Sequence, residues 1–397
     1  MLTNAYRVIV FSLLVTSISA CSSRINRVIN KLDITLIDST SHSAQSVSVQ
    51  MTKAHDKYLG FVAGEGKTTE VYAINSQGKL EFLQQYQITN KFGGIRALTH
   101  VKTDDLDLLL LGNKADNALE TYRITEDGAL KKLAAVYDSD STFIDEIVTI
   151  HSVTINNRTF VYAGGLDKGL SCFELSSDGN LQHIQSIEDQ ESLFLHGIIG
   201  MSSMLIEEQY FLITGAFFDG GISCFQVSEN GRLQNVSNVK DDQTLFLNGT
   251  FPVNSVQIGQ QNFLLVGHRH NLHYSTADAE QQYHGDGVNV FTIDSQGQIA
   301  LHSLLSDTED LKLKGSTRIE IIKLDDNNAL VFIGTRDDQG IQICSLKQDG
   351  TLHPIKAIDL GYPIYNGMAI EKINNIWYLM TGAYDKNRLE LYSIIYD

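Results

Sequence analysis

Beyond residue 32 the chain reads as short runs in which apolar and polar residues alternate with a period of two, each run closing on a glycine. Two landmarks recur. A turn followed by Gly-x-Leu or Gly-x-Ile falls at Gly78, Gly128, Gly179, Gly231, Gly297 and Gly350, at spacings of 50, 51, 52, 66 and 53 residues. Before each lies an alternating run, such as Leu170 to Leu175 or Ile222 to Val227, which predicts a strand entering a tight hairpin whose Gly supplies the positive φ. The second landmark is an apolar run ending in Gly, found seven times, at Gly64, Gly112, Gly164, Gly215, Gly267, Gly334 and Gly382. Another apolar run precedes each of these, so the repeating unit holds four strands, A to D, with B ending at the second landmark and D opening after the hairpin. Four short strands in about 50 residues leave no room for a crossover helix and match a propeller blade.

The ends of the chain set the topology. The last unit has strand A at Met368 to Ile373, B at Ile376 to Gly382 and C at Arg388 to Ile394, and its fourth strand is missing. At the other end, Leu32 to Ile37 is an alternating segment that belongs to no unit. If it supplies the missing strand, the fold is an all-β, seven-bladed β-propeller of four-stranded antiparallel blades over residues 32 to 397, the last blade closed by the N-terminal strand and no sheet edge left open within the ring.

Residues 1 to 20 differ in character: Arg7 precedes the apolar run Val8 to Leu14, and Ile18, Ser19 and Ala20 lead into Cys21. This is the pattern of a signal peptide, too short in its apolar part to span a bilayer as a helix. Ile18 to Cys21 resembles the lipobox of bacterial lipoproteins. That resemblance implies cleavage after Ala20, lipid attachment at Cys21, a tether over residues 21 to 31, and, from Ser22, delivery to the outer membrane, facing the periplasm or the cell surface. The remaining cysteines, Cys172, Cys224 and Cys344, fall within predicted strands and are too few for a disulfide framework, so buried inert thiols are expected. With 47 acidic and 30 basic residues, a net charge of −17 and no basic patch, nucleic acid is excluded as a partner.

Strand C with its hairpin, as in Leu170 to Leu181 (LSCFELSSDGNL) and Ile222 to Leu233 (ISCFQVSENGRL), resembles the seven-bladed lactonase-like propellers, a group that includes phosphogluconolactonase-type enzymes and many secreted repeat proteins. The shared motifs specify strands and turns. The Pro-Arg-His segment that accompanies activity in the lactonases is not found, so their catalytic residues are not carried over.

Strand parity places the regular glycine hairpins on the bottom face, and the B to C turns and D to A links on the top. The links share the pattern Leu-x-Leu-x-Gly or a variant of it, and the residue before Gly varies: His196, Asn248, Lys314 and, in a weaker copy, Asn366. The third unit holds Asp145 and Glu146 in the corresponding stretch, while Arg96 and Arg318 each stand three residues after a Gly, at Gly93 and Gly315. Polar variety where the repeat asks for sameness suits a ligand funnel and a solvated channel mouth equally. Carboxylates also collect on this face, at Asp167, Asp219, Asp286, Asp338 and Asp385 in the turns and Asp189, Asp241, Asp242 and Asp307 in the links; they suit turn formation or calcium. One break in the repeat stands out. From the strand B Gly to the strand C aromatic takes 10 residues in unit four but 24 in unit five, and His268, His270, His273 and His284 fall in or beside the insert, a set that would serve a zinc site or a hydrated lid.

Two function classes follow. One is a lipid-anchored binding or scaffold module offering its top face to a periplasmic or surface protein. The other is a lactonase-like hydrolase in which His196 or Glu146 acts as base and Arg96 and Arg318 hold an anionic substrate.

Overall fold

The computed structural model describes residues 32–88, 93–242, 244–269 and 286–396. They form seven four-stranded antiparallel sheets, and six of these take their strands in chain order. The seventh runs, from its outer edge inward, Asp33–Ser41, Arg388–Ile395, Ile376–Ala383 and Met368–Ile373, so the first strand of the chain closes the last blade. Ile34 pairs with Ile394 and Ser41 with Arg388. A bulge at Ile37 inserts an extra residue between Leu36 and Asp38, which ends the strict alternation that would put Ile34 and Ile37 on opposite faces.

Apolar side chains collect in seven separate clusters, one in each gap between neighbouring blades. Both faces of an inner sheet therefore meet a neighbour, and strands such as Phe160 to Ala163 are buried without interruption. The two glycine landmarks serve this packing. Gly231 has φ 77°, and a Cβ there would lie 2.2 Å from the Phe160 ring of the preceding blade. Its carbonyl accepts from Tyr162 Oη at 3.0 Å and Cys172 Sγ at 3.2 Å. At Gly164 the φ is ordinary, but a Cβ would strike Ile198 at the head of the next blade. The first glycine is required by its turn and by contact, the second by contact alone.

A polar stitch also crosses each gap beside the central channel. Thr52 Oγ1 lies 2.9 Å from His100 Nδ1, and Thr99 Oγ1 donates to the Ile150 carbonyl. His151 Nε2 lies 2.8 Å from Ser203 Oγ, Ser202 Oγ lies 2.8 Å from Ser255 Oγ, and Asn254 Nδ2 donates to the Ile319 carbonyl. Thr317 Oγ1 donates to the Ile364 carbonyl, and the ring is completed by Val49 N donating to the Asn366 carbonyl.

Cys172, Cys224 and Cys344 are buried and unpaired, and burial pushes each thiol up to about 12. They should resist a thiol reagent at pH 8 in the folded protein and react together on unfolding. Because the folded state keeps these protons after the unfolded chain has released them, stability should fall as pH rises from about 9 towards 12. Reagent uptake in the native state at pH 8 would show the packing around them to be looser than described.

Candidate functional site at the channel mouth

Each blade's top end is shaped by two local devices. The last residue of most D to A links takes a left-handed conformation, at Gln45, Gly94, Glu146, Gly197, Gly249 and Gly315. Several of their carbonyls receive an N–H from the adjoining B to C turn: Leu166 N to Glu146, Phe217 N to Gly197, Arg269 N to Gly249 and Arg336 N to Gly315. One step further on, the A–B ladder of six blades slips its register, giving an extra residue at Val47, Arg96, Val148, Ile199, Phe251 with Pro252, or Thr317. The first five of these positions supply Val47, Arg96, Val148, Ile199 and Phe251 to the wall of a cavity of about 260 Å3 at the mouth of the channel.

The links are held by their own carboxylates and by strand C. Asp189 Oδ1 accepts from Leu195 N, Asp241 Oδ1 from Leu247 N and Asp307 Oδ1 from Leu313 N, each six residues ahead. Asp219 accepts from His196 N and Asp338 from Lys314 N, both through Oδ2. Much of the acidic rim is therefore engaged by backbone N–H groups. Burial raises Asp219, and the neighbouring Asp189 carboxylate adds to the effect. From strand C a buried polar residue receives the link amide: Ser171 from Phe143 N, Ser223 from Phe194 N, Asn289 from Phe246 N and Gln342 from Lys312 N. In blade one Glu70 accepts from Ser43 N, and its second oxygen accepts from Tyr72 Oη two residues on. The same Glu–Tyr pair recurs as Glu120 with Tyr122 and Glu390 with Tyr392. In blade one the carboxylate has an oxygen to spare after meeting the link, and the tyrosine satisfies it; Glu120 Oε1 instead accepts from Asn113 Nδ2 and Lys132 Nζ, and Glu390 Oε2 accepts from both Tyr392 and the link residue Tyr362.

The cavity wall divides into two arcs. Val148, Leu166, Ile199, Phe217, Phe218 and Phe251 form an apolar arc over blades three to five. Facing it are Arg96, Glu65, Lys114, Arg269, Tyr365 and Asn366. Arg96 Nη2 pairs with Glu65 Oε1, while Arg96 Nε is buried without a partner among the described residues. Tyr384 Oη donates to Glu65 Oε2 at 2.5 Å; burial, followed by the Glu65 bond and charge, pushes its phenol up to about 12. The Tyr384 ring lies 5.1 Å from that of Tyr365, and Arg269 and Arg336 stand over the Tyr365 ring at 5.7 and 5.8 Å. Glu65 is the one carboxylate among the described lining residues, against the cations Arg96, Lys114 and Arg269.

Of the residues singled out by the sequence, only Arg96 and Asn366 reach this cavity. Arg318 is one register step off. Arg96 follows the left-handed Gly94 by two residues and sits in the bulge, whereas Arg318 follows Gly315 by three and pairs with Gly334. Arg318 lies lower in the channel, with Nε donating to Glu320 Oε1 at 2.7 Å. The His196 ring packs on Phe218 at 4.7 Å and does not line the cavity. Glu146 is exposed, 3.1 Å from Lys114 Nζ, and Lys314 is exposed as well. Asn248 is half-buried, and its carbonyl lies 3.0 Å from His268 Nδ1.

His268 itself is 1% exposed, with Nε2 3.5 Å from Asp286 Oδ1 and the Phe246 ring 5.7 Å away. His270, His273 and His284, the other members of the zinc expectation, lie outside the described residues, as does Cys21. Among the described residues no group of three or more His, Cys, Asp or Glu is placed to hold a metal ion.

Sequence reasoning missed Glu65, Lys114, Leu166, Phe217, Arg269, Arg336 and Tyr384. The signal was in the repeat: apart from Glu65, which is one residue along, each stands two residues beyond the strand B Gly.

No family model and no curated protein matches the chain. Solved structures do. The chain is similar to a putative 6-phosphogluconolactonase from Bacteroides fragilis, with TM-score 0.58 and 15% identity over 79% of this chain and 84% of that one. A protein from Lactobacillus plantarum gives TM-score 0.59 and 14% identity over 81% and 86%. Raptor from Chaetomium thermophilum gives 0.59 and 14% over 93% of this chain but 30% of its own. At these identities the likeness is one of fold: the protein is a seven-bladed β-propeller with lactonase-like structural neighbours, and the propeller hosts many activities.

Proposed function

We propose that the protein is a membrane-tethered binding module, anchored through a lipid on Cys21, which presents the top face of its propeller to a periplasmic or surface ligand and takes an anionic group at the channel mouth. The observation that carries this reading is the gathering of Arg96, Lys114 and Arg269 around one cavity in a chain whose net charge is −17. Hydrolysis finds less support. Both Glu65 oxygens are engaged, by Arg96 and Tyr384, and no histidine lines the cavity among the described residues, so a held anion would have no free base beside it.

Calorimetric titration of the full chain with gluconate, inorganic phosphate and octanoate tests the reading. At least one should bind saturably near one equivalent, and Arg96→Gln and Arg269→Gln should each weaken it about tenfold, as expected for losing a charge-assisted hydrogen bond. If none of the three binds, or if neither substitution matters, the mouth is not an anion site.

A further inference from the structure

The division of the cavity into two arcs says more about the ligand than its charge. An anion recognised by cations alone would be served by a polar pocket, as a phosphate or a sugar acid is. Here half the wall is Val148, Leu166, Ile199, Phe217, Phe218 and Phe251, brought together from three blades. Phe217 and Phe251 are nearly buried, and Phe217 packs edge to face on both Phe218 and Phe251, with centroids 5.4 and 6.3 Å apart, so the apolar arc is preformed. Opposite it, the Arg96 guanidinium lines the wall, held in place by its pairing with Glu65. The cavity measures about 260 Å3, near the lower end of small-molecule sites, which suits a compact ligand.

Resting on the reading of the mouth as an anion site, we propose that its ligand is a compact amphipathic acid, a short acyl or aryl carboxylate, with the carboxylate at Arg96 and the hydrocarbon against Phe217, Phe218 and Phe251. Neither half of the wall alone accounts for the other. The acid group sets the orientation and the hydrocarbon supplies most of the affinity.

The test is a chain-length series on the full-length protein: butyrate, hexanoate and octanoate, with octan-1-ol, octylammonium and gluconate as controls, measured by calorimetry alongside Arg96→Gln. Each added methylene should tighten binding about fourfold, the equivalent of ~0.8 kcal/mol per buried CH2. Arg96→Gln should weaken octanoate about tenfold, and octylammonium should not compete with it. Phe218→Ala should flatten the chain-length slope; the slope in the unaltered protein is read independently of whether that variant folds well. Gluconate binding as tightly as octanoate would overturn the amphipathic assignment and leave the anion site standing. Octan-1-ol matching octanoate, with no effect of Arg96→Gln, would overturn both, as would no binding by any carboxylate.

Discussion

A chain lacking residues 32–38 should melt far below one lacking residues 22–30. The first deletion removes five of the eight register pairs between Asp33–Ser41 and Arg388–Ile395, and the backbone of the latter strand becomes an open edge. It also takes away Leu32, buried with Tyr392 and Ile394, together with Ile34, which packs on the same cluster. Asp38, whose Oδ2 accepts from Leu80 N at 2.8 Å and so ties blade seven to blade one, goes with them. Two apolar side chains at ~2 kcal/mol each and several hydrogen bonds at ~1 kcal/mol place the loss on the order of 5 kcal/mol or more, a large share of a typical domain's stability. Thermal melts of the two deletions decide the matter, and equal midpoints would mean that the ring does not depend on its closing strand.

Replacing Cys21 by Ala should move the protein from the membrane fraction to the soluble one, or leave it as the unprocessed precursor. The proposed lipid anchor would act almost as a switch. At ~0.8 kcal/mol for each buried CH2 a single acyl chain holds a protein only marginally, while two or more hold it firmly, so losing the modified thiol removes nearly all the affinity at once. No helix among the described residues is long and apolar enough to cross a membrane. Fractionation together with intact-mass measurement reads the outcome. A processed Cys21→Ala protein that still sediments with membranes would refute the lipid anchor.

The propeller was legible in the sequence because its glycines answer to backbone geometry and close contact, which tolerate little else. Gly231 must combine a positive φ with contact against Phe160, so the hairpin keeps its spelling through six units. Blade closure was legible from strand counting alone, since three strands at one end and one at the other leave a single arrangement with no edge. The mouth was harder. Arg96 and Arg318 look equivalent when counted from Gly93 and Gly315, yet Gly93 and Gly94 are both candidates and only the ladder shows that Gly94 occupies the left-handed position matched by Gly315. A shift of one residue moves a side chain to a different level of the channel. The position two residues beyond the strand B Gly marks Arg336 and Tyr384 as equivalent, but their meeting with Tyr365 joins a link to two different turns across blades, and no spacing within one repeat encodes that contact.

The buried polar residue on strand C takes a link amide in five blades and side-chain donors at Glu120 and Glu390, and it is far from uniform in identity. It is Glu70 and Glu120 with a tyrosine beside each, then Ser171 and Ser223 with Phe173 and Phe225, Asn289 with Phe291, Gln342 with Cys344, and Glu390 with Tyr392. Beside the channel, neighbouring blades are also joined by differing stitches. A propeller of identical blades can gain or lose one by unequal recombination and remain a propeller. This one has less of that freedom. A unit moved to most other places in the ring would carry an anchoring residue fitted to another link and a stitch with no counterpart, so change is tolerated more readily by substitution and in the top loops, where the longer stretch between Gly267 and Phe291 lies.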